Sequence, residues 1–343
     1  MPHARPPGRR YDSTVPLPAQ TTRLAPSPTG SLHLGNAFAF AVCWALARQK
    51  GWRILLRIED FGARIQPGAD ALCLSTLEWL GLDWDAGPLW QTREVAPYRE
   101  ALARLHEKGL VYPCACTRRA LEEAMQEAQS DASAPNEGDH EVRYPGTCRG
   151  KGISAPLPDF ERKLSPQEIK TNLAWRLRVP DGPIAHRDTL RGDLACDVQK
   201  QVGDFIVGMK ANLPAYQLAV VVDDMRQGVT QVVRGADLLD STARQMLIYQ
   251  AFGAAPPAFT HLPLVRGQDG LRLAKRHGDT RLLGYQARGV RQERVLGLLA
   301  YWAGAQTARR EISAGEFTAV LDLAKMPRDT IVFAPEDDLW LTA

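Results

Sequence analysis

Short strand-like runs alternate with longer helix-like runs in the first third of the chain. Residues 21–25 and 53–60 are short runs with branched apolar side chains, which predict strands. Residues 37–49, 68–80 and 98–108 have the length and composition of helices, and a glycine lies just beyond each of them. This alternation predicts a doubly wound parallel sheet, in which functional residues gather at the carboxyl ends of the strands.

The pattern is less regular after residue 110. We predict strands at 173–179, 217–223 and 231–234, and helices at 240–251 and 291–304. The predicted fold class is therefore α/β.

Two stretches have too few apolar residues to belong to a core. Residues 1–20 are rich in proline and arginine, lack the apolar segment of a signal peptide, and predict a disordered tail. Residues 127–141 are almost entirely polar and predict a mobile loop.

Composition limits the possible classes of protein. The length of 343 residues predicts about two domains. A net charge of +3 is too small to indicate nucleic-acid binding by itself. No apolar run is long enough to span a bilayer. We therefore expect a cytoplasmic protein.

One motif lies between the first predicted strand and the first predicted helix. Residues 23–36 read Arg-Leu-Ala-Pro-Ser-Pro-Thr-Gly-Ser-Leu-His-Leu-Gly-Asn. The start of a helix suits phosphate, and His33 there can stabilise charge that develops at an α-phosphate. Gly35 has no side chain, so an adenine ring can pack against its backbone. The alternative for a bare His-x-Gly-x pattern is an ordinary loop before a helix.

A second motif lies far along the chain. Residues 272–276 read Arg-Leu-Ala-Lys-Arg and place Lys275 in a basic loop. Taken alone, such a cluster is typical of a solvated basic patch. The order and separation of the two motifs favour a pair of loops that handle a nucleotide.

Three cysteines have a spacing that suits a metal. Cys114 and Cys116 are followed by Tyr144 and Cys148, which offer three thiolates and a phenol for a tetrahedral zinc ion. His140 is the conventional competitor for the fourth position, and three unrelated thiols are the alternative to any site.

These motifs resemble those of the glutamyl-tRNA synthetases, a family of class I aminoacyl-tRNA synthetases. The matching segments occur in the family's order, at 25–30, 32–35, 56–60, 216–224 and 233–242. The resemblance runs from about residue 21 to residue 285. It implies a class I Rossmann-like doubly wound sheet, with a zinc-containing insertion and a short helical C-terminal region.

The resemblance also implies a role for each matching residue. The residues expected to bind glutamate are Arg23, Leu24, Ala25, Pro26, Ser27, Glu59, Tyr216 and Arg234. The residues expected to bind ATP are His33, Gly35, Asn36 and Lys275, and of these His33 and Lys275 are the expected catalytic residues.

Elementary chemistry agrees with the glutamate-binding set. Arg23 and Arg234 can each bind a carboxylate through two N–H groups, and Glu59 can balance an ammonium group. Tyr216 can add a hydroxyl donor. The alternative for each arginine is a surface ion pair. Which arginine binds the side-chain carboxylate is left open by the sequence.

The chain departs from the family pattern at several positions. In the Lys-Met-Ser-Lys-Ser loop of the family, Arg272 replaces the first lysine, and Ala274 and Arg276 replace the serines. Asn36 replaces the histidine of the best-known form of the first motif, and Gly62 replaces an acid.

One branch of the family is expected on two further grounds. That branch has Cys, Cys, Tyr and Cys at positions matching Cys114, Cys116, Tyr144 and Cys148, which implies one structural Zn²⁺. Only 67 residues follow Arg276 (343 − 276), too few for a helical anticodon-binding region. Both features resemble the glutamyl-queuosine tRNA(Asp) synthetases, which activate glutamate with ATP and esterify it to queuosine at the wobble position of tRNA(Asp).

The resemblance implies a monomeric ligase that uses ATP, Mg²⁺, glutamate and tRNA(Asp) carrying queuosine. The expected regions are a tail (1–20), two halves of the catalytic domain (21–113 and 191–290), a zinc insertion (114–190) and a C-terminal region (291–343). Three alternatives are left open: a short enzyme that charges tRNA(Glu), an adenylate-forming enzyme with a non-RNA acceptor, and an inactive RNA-binding paralogue.

Overall fold

The computed structural model of the protein describes residues 20–62, 64–117, 119–121, 143–271, 273 and 280–343. The predicted mobile loop at 127–141, and the predicted tail except Gln20, lie outside these ranges and stay predictions. Every helix within the described ranges is too short or too polar to cross a bilayer.

Helices and strands alternate along most of the chain. The helices are α1 (Leu34–Lys50), α2 (Ala69–Trp79), α3 (Ala96–Glu107), α4 (Pro166–Thr171), α5 (Val198–Gln201), α6 (Tyr216–Arg226), α7 (Leu239–Phe252), α8 (Leu282–Ala287), α9 (Gln292–Trp302), α10 (Ala314–Val320) and α11 (Pro335–Thr342). The strands are β1 (Thr21–Leu24), β2 (Arg53–Ile58), β3 (Ala86–Trp90), β4 (Val111–Cys114), β5 (Ala174–Leu177), β6 (Ile184–Asp188), β7 (Gly192–Cys196), β8 (Ile206–Met209), β9 (Leu213–Pro214), β10 (Gln231–Gly235), β11 (Ala258–Leu262), β12 (Val265–Arg266) and β13 (Ile331–Val332).

Parallel strands form two adjacent groups, as the strand–helix alternation predicted. Strands β1, β2 and β3 are parallel neighbours in that order. Strands β10, β11 and β6 are also parallel neighbours, and β7 pairs antiparallel with β6 at the edge. The two groups meet where the Thr230 N–H donates to the Thr21 carbonyl oxygen at 2.9 Å.

Helix α1 lies at the centre of the largest hydrophobic core. Ten of its 17 residues are buried, because the sheet covers one side of the helix while α9 and α10 pack on another. Burial on several faces fixes the position of the helix, and therefore of its first turn at the end of β1.

A second, antiparallel sheet has the order β4-β5-β8-β9. Its first strand ends at Cys114, the first of the predicted metal ligands. This sheet and helices α3, α6 and α7 enclose a separate core that contains Tyr98, Trp175 and Phe205.

The predicted strand at 217–223 is wrong, because these residues belong to helix α6. Every residue from Gln217 to Asp224 is buried, since α6 packs between α3 and α7. Burial on all sides removes the helical period from the sequence, and three consecutive valines then favour a strand prediction. The other predicted strands and helices are confirmed, with ends shifted by at most three residues.

Candidate active site and metal centre

A cleft of about 410 Å³ lies at the carboxyl ends of β1, β2 and β10. The predicted site residues that line it are Arg23, Ala25, Pro26, Ser27, His33, Gly35, Asn36, Glu59, Tyr216 and Arg234. Leu24 is the exception, because its side chain is fully buried in the main core. Lys275 lies outside the described residues.

His33 caps the first turn of α1. Its Nδ1 accepts hydrogen bonds from the backbone N–H groups of Gly35 (3.1 Å) and Asn36 (3.3 Å). The Asn36 side chain accepts in turn from the His33 N–H at 3.2 Å. The expectation that these two helix-start N–H groups are available for phosphate is therefore wrong. Because Nδ1 is an acceptor, a neutral His33 carries its proton on Nε2.

Gly35 packs closely against the His33 ring. A Cβ atom at residue 35 would lie 3.1 Å from both Cε1 and Nδ1 of His33. A side chain at this position would therefore require the ring that caps the helix to shift by a few tenths of an ångström.

The described residues that flank the predicted Lys275 loop lie beside the His33 segment. Leu273 lines the cleft. The Leu34 N–H donates to the Thr280 carbonyl oxygen at 3.0 Å, and the Leu282 N–H donates to the Leu32 carbonyl oxygen at 2.9 Å. These backbone bonds join the first motif to the chain that follows the second motif.

A buried ion cluster lies under one side of the cleft. We call Arg57, Glu59, Asp223 and Asp224 the Arg57 cluster. The Arg57 guanidinium lies 2.8 Å from Asp224, 3.2 Å from Glu59 and 3.9 Å from Asp223. Burial alone would lower the pKa of Arg57, but the three carboxylates together raise it.

Two residues that line the cleft are affected by this cluster: Glu59, which is a member of it, and Arg23, which lies beside it. Burial raises the pKa of Glu59, even though the Arg57 guanidinium favours its charged form. The Nε of Arg23 lies 3.7 Å from Asp224, so Arg23 is also close to a carboxylate of the chain itself.

Arg234 is held differently on the opposite side of the cleft. We call His261, Thr242, Gln245 and the Leu238 carbonyl the Arg234 cage. Arg234 donates to His261 Nε2 (3.0 Å), Gln245 Oε1 (2.9 Å), Thr242 Oγ1 (2.8 Å) and the Leu238 carbonyl oxygen (3.2 Å).

The Arg234 cage leaves the arginine's charge uncompensated at close range. None of its four acceptors is a carboxylate, and no described Asp or Glu oxygen lies within 4 Å of the guanidinium. The side chain is only 5% exposed, and burial lowers its pKa. A buried cation with neutral neighbours is a binding site for an anion from outside the chain.

Sequence reasoning missed several of these residues. Arg57 had a usable signal, because a charge within an apolar strand, two residues before Glu59, shares a face with it. The acceptors Thr242, Gln245 and His261 had no such signal, since their common position depends on how α7 and β11 pack.

The three predicted metal-binding cysteines lie together. The Sγ atoms of Cys114, Cys116 and Cys148 are all within 4.8 Å of one another, and the Cys116–Cys148 distance is 3.6 Å. Zinc at about 2.3 Å from each sulfur in a tetrahedral site holds the sulfurs roughly 3.8 Å apart. The Tyr144 hydroxyl lies 3.5 Å from Cys114 Sγ, on the same cluster. These four side chains therefore fit a zinc ion.

Neighbouring groups favour the charged form of Cys148 but not that of Cys116, whose pKa burial and the other two thiols raise to about 11. Burial raises the pKa of Cys148, but bonds from the Ala115 backbone and the Tyr144 and Cys116 side chains lower it to about 7 overall. Arg176 donates from Nε to Cys114 Sγ at 3.3 Å, and its guanidinium lies 3.7 Å from the centre of the Tyr144 ring.

Comparison with known proteins gives one family. The model of the class I tRNA synthetase (E and Q) catalytic domain matches residues 20–333. The chain is 43% identical over 318 residues to a glutamyl-Q tRNA(Asp) synthetase of Symbiobacterium thermophilum, covering 90% of this chain and 94% of that relative.

Two further relatives are glutamate-specific synthetases. A glutamate–tRNA ligase of Alkalilimnicola ehrlichii is 35% identical, over 93% of this chain and 64% of that protein. The crystal structure of a glutamate-tRNA synthetase from Elizabethkingia anophelis superposes with a TM-score of 0.76 at 25% identity, over 94% of this chain and 69% of that chain.

Proposed function

We propose that this chain, which belongs to the class I tRNA synthetases for glutamate and glutamine, activates glutamate with ATP and transfers it to queuosine in tRNA(Asp). The observation that carries the glutamate assignment is the buried Arg234 guanidinium, held in the cleft by neutral acceptors only. The acceptor is inferred from glutamyl-Q tRNA(Asp) synthetases that are 41–44% identical to the chain.

The charge around the cleft favours glutamate over glutamine. Arg234 binds the side-chain carboxylate, because its charge has no close carboxylate among the described residues. Arg23 adds a second cation, although Asp224 at 3.7 Å already offsets part of its charge. Glu59 faces the substrate ammonium group from the opposite wall. A neutral amide in place of the carboxylate would leave the Arg234 charge buried and uncompensated.

Activation joins the substrate to the nucleotide. An oxygen of the glutamate α-carboxylate attacks the α-phosphorus of ATP, and pyrophosphate leaves with the electron pair of the broken P–O bond. His33 Nε2 donates its proton in a hydrogen bond to an α-phosphate oxygen as charge develops there. Lys275, at the loop that begins and ends beside the His33 segment, neutralises the departing pyrophosphate. Mg²⁺, when bound, shields the polyphosphate charge.

Transfer completes the reaction. A hydroxyl of the queuosine cyclopentenediol attacks the carbonyl carbon of the adenylate, an ester bond forms, and AMP leaves. Both steps depend on positioning and on charge neutralisation, so no general base is assigned. Because the acceptor is a tRNA, we place the reaction in the cytoplasm, and we expect the enzyme to act as a monomer.

The metal centre has a structural role in this proposal. Cys114, Cys116, Tyr144 and Cys148 would hold one Zn²⁺, and a four-ligand set of protein side chains is typical of a structural site. Purified protein should contain about one zinc per chain by metal analysis. Chelation should loosen the β4-β5-β8-β9 sheet before glutamate activation is lost. Equal and simultaneous loss of both would contradict the structural role.

The decisive experiment offers labelled glutamate to three RNAs. Matched tRNA(Asp) samples with and without queuosine are compared, and tRNA(Glu) is the third. Label on the queuosine sample alone supports the proposal. Label on tRNA(Glu) identifies a short glutamyl-tRNA synthetase. ATP–pyrophosphate exchange without label on any RNA indicates a different acceptor.

The same assay tests the loop assignment. Lys275→Ala should reduce glutamate-dependent pyrophosphate exchange by about 100-fold or more, and Arg276→Ala, which removes the adjacent charge, should reduce it much less. Near-normal exchange by Lys275→Ala would refute the role of the lysine.

A further inference from the structure

A histidine and an aspartate lie directly behind Arg234 in the sheet. Strands β10, β11 and β6 are neighbours, and Arg234 and His261 are register partners across the first pair. His261 Nδ1 lies 2.7 Å from Asp188 Oδ2, on the third strand. The three side chains therefore form one row across the sheet, and only Arg234 lines the cleft.

The donors in this row fix the tautomer of His261. An arginine N–H can only donate, so His261 Nε2, at 3.0 Å from Arg234 Nε, must accept. The proton of the neutral imidazole is then on Nδ1 and is donated to Asp188. Burial, the nearby Arg234 charge and His186 lower the pKa of His261, and together outweigh the Asp188 carboxylate, which favours the charged form.

Asp188 is held as an ionised acceptor. Its Oδ1 accepts from the backbone N–H groups of Leu190 (3.0 Å) and Arg191 (2.8 Å). Its Oδ2, which accepts from the His261 ring, also accepts from the His261 backbone N–H (3.0 Å). Although burial would raise its pKa, these bonds and the His261 imidazole lower it overall.

This row orients Arg234 without neutralising it. A carboxylate in direct contact with the guanidinium would compete with a substrate carboxylate for the same N–H groups. In the observed row, a neutral imidazole separates the negative charge of Asp188 from Arg234. The arginine is therefore held by a hydrogen bond of fixed direction and keeps its charge for a ligand.

We propose that the Asp188–His261 pair is a positioning device for Arg234 and sets the affinity of the cleft for the substrate side-chain carboxylate. The proposal rests on the proposed function, in which Arg234 binds that carboxylate. Neither residue touches the substrate. His261 acts through the guanidinium, and Asp188 acts through His261.

Three variants test the pair by glutamate-dependent ATP–pyrophosphate exchange. His261→Phe removes the acceptor for Arg234 and should raise the KM for glutamate about 10- to 100-fold, while the KM for ATP changes less than about twofold. Asp188→Asn can donate to Nδ1 and so permits the Nε2–H tautomer of His261, which cannot accept from Arg234. This variant should raise the KM for glutamate at least about fivefold. His261→Gln can accept from Arg234 and donate to Asp188, and should return the KM to within about threefold of wild type.

His186→Phe is the matched control. His186 lies on the strand of Asp188, and its buried ring nitrogens have no hydrogen-bond partner among the described residues. The same substitution there should change the glutamate KM less than about twofold.

Nitrogen-15 NMR of histidine-labelled wild-type protein gives a readout independent of activity and of any variant's folding. We expect His261 as the Nδ1–H tautomer and His33, whose Nδ1 is an acceptor, as the Nε2–H tautomer. An Nε2–H or doubly protonated His261 at neutral pH would overturn the proposal.

The kinetic outcomes separate the two proposals. Folded His261→Phe and Asp188→Asn proteins with wild-type KM for glutamate would overturn the positioning role alone. Equal increases in the KM for glutamate and for ATP would do the same, because they indicate a general structural defect. A wild-type protein that exchanges pyrophosphate with ATP but not with glutamate would instead reject the proposed function, and the positioning role with it.

Discussion

Two buried arginines lie near the carboxyl ends of parallel strands, Arg57 on β2 and Arg234 on β10, and the chain surrounds them in opposite ways. Arg57 is fully buried among three carboxylates, at 2.8 to 3.9 Å. Arg234 is 5% exposed and donates only to neutral acceptors among the described residues. The pKa of Arg57 is raised by its carboxylates, whereas the pKa of Arg234 is lowered by burial.

The difference separates a cation compensated within the chain from the cation that we propose to bind the substrate. The Arg57 guanidinium needs no ligand, since carboxylates of the chain itself already compensate its charge. The Arg234 cage satisfies hydrogen bonds but not charge, so it stays electrostatically incomplete until an anion enters the cleft. Burial and residue type are the same in both places, and the neighbours decide the role.

The largest effect is expected at Arg57, whose charge is compensated by carboxylates of the chain itself. Arg57→Met leaves the carboxylates of the Arg57 cluster buried without their cation, and should lower the free energy of unfolding by about 3–5 kcal/mol. Urea denaturation measures this loss. Arg53→Met, at the more exposed start of the same strand, is the control and should cost less than about 1 kcal/mol. A loss for Arg57→Met as small as that of the control would mean that the cluster is not an ionic unit.

Arg234→Met should separate function from stability. It removes the binding cation and should raise the KM for glutamate about 100-fold or more, roughly 3 kcal/mol of binding energy. The loss of stability should be smaller than for Arg57→Met, because no carboxylate is left unpaired. Arg234→Lys, which keeps the charge but not the two-pronged donor, should recover only part of the affinity. An unchanged KM for glutamate in Arg234→Met would show that Arg234 does not bind the substrate carboxylate.

Much of this site could be predicted from the sequence because topology gathers strand ends. The His33 motif and Glu59 follow two strands that prove to be parallel neighbours, so their meeting at one cleft follows from the predicted fold. The spacing of Cys114, Cys116 and Cys148 suited a metal, and the resemblance implied the set; the structure brings the three thiols together.

The features that distinguish the two arginines could not be predicted in this way. The cage depends on side chains from α7 and β11, whose approach to Arg234 is a result of packing. Helix α6, which carries Asp223 and Asp224 to Arg57, was predicted as a strand because burial on all sides hides its period. The histidine cap of α1 was also unforeseen, since Ser, Thr, Asp and Asn are the usual N-cap residues.

A single substitution should give Arg234 a close carboxylate, as Arg57 has, with a smaller effect on the KM for glutamate. Gln245→Glu replaces the acceptor 2.9 Å from Arg234 with an isosteric carboxylate. The new ion pair should raise the KM for glutamate about 10-fold, because it competes with the substrate carboxylate, and should leave the free energy of unfolding unchanged or higher. The same kinetic assay and urea denaturation measure both quantities.

Gln250→Glu provides the matched control, since it is an exposed glutamine on the same helix. It should change neither quantity measurably. A Gln245→Glu protein with wild-type affinity for glutamate would show that close neutralisation of Arg234 is not what controls binding.

The smallest expected effect is a pH dependence that belongs to one region only. The Arg234 cage contains His261, whose pKa is lowered in the folded protein, whereas the Arg57 cluster contains no histidine. The unfolded chain takes up a proton on His261 near its ordinary pKa of about 6.5. In the folded chain, burial and repulsion by the Arg234 guanidinium oppose protonation of His261, and a proton on Nε2 would also break the hydrogen bond from Arg234. The Asp188 carboxylate favours protonation, but its effect is the smaller one.

The unfolded state therefore binds more protons below that pH, and stability falls as the pH decreases. His261 should contribute a loss of at most about 1 kcal/mol between pH 6.5 and 5.5. Urea denaturation of wild type and His261→Gln at pH steps across this range isolates the contribution, since the other histidines are present in both proteins. Parallel stability curves would mean that His261 is not held neutral, and the charge of the cage would then need a different account.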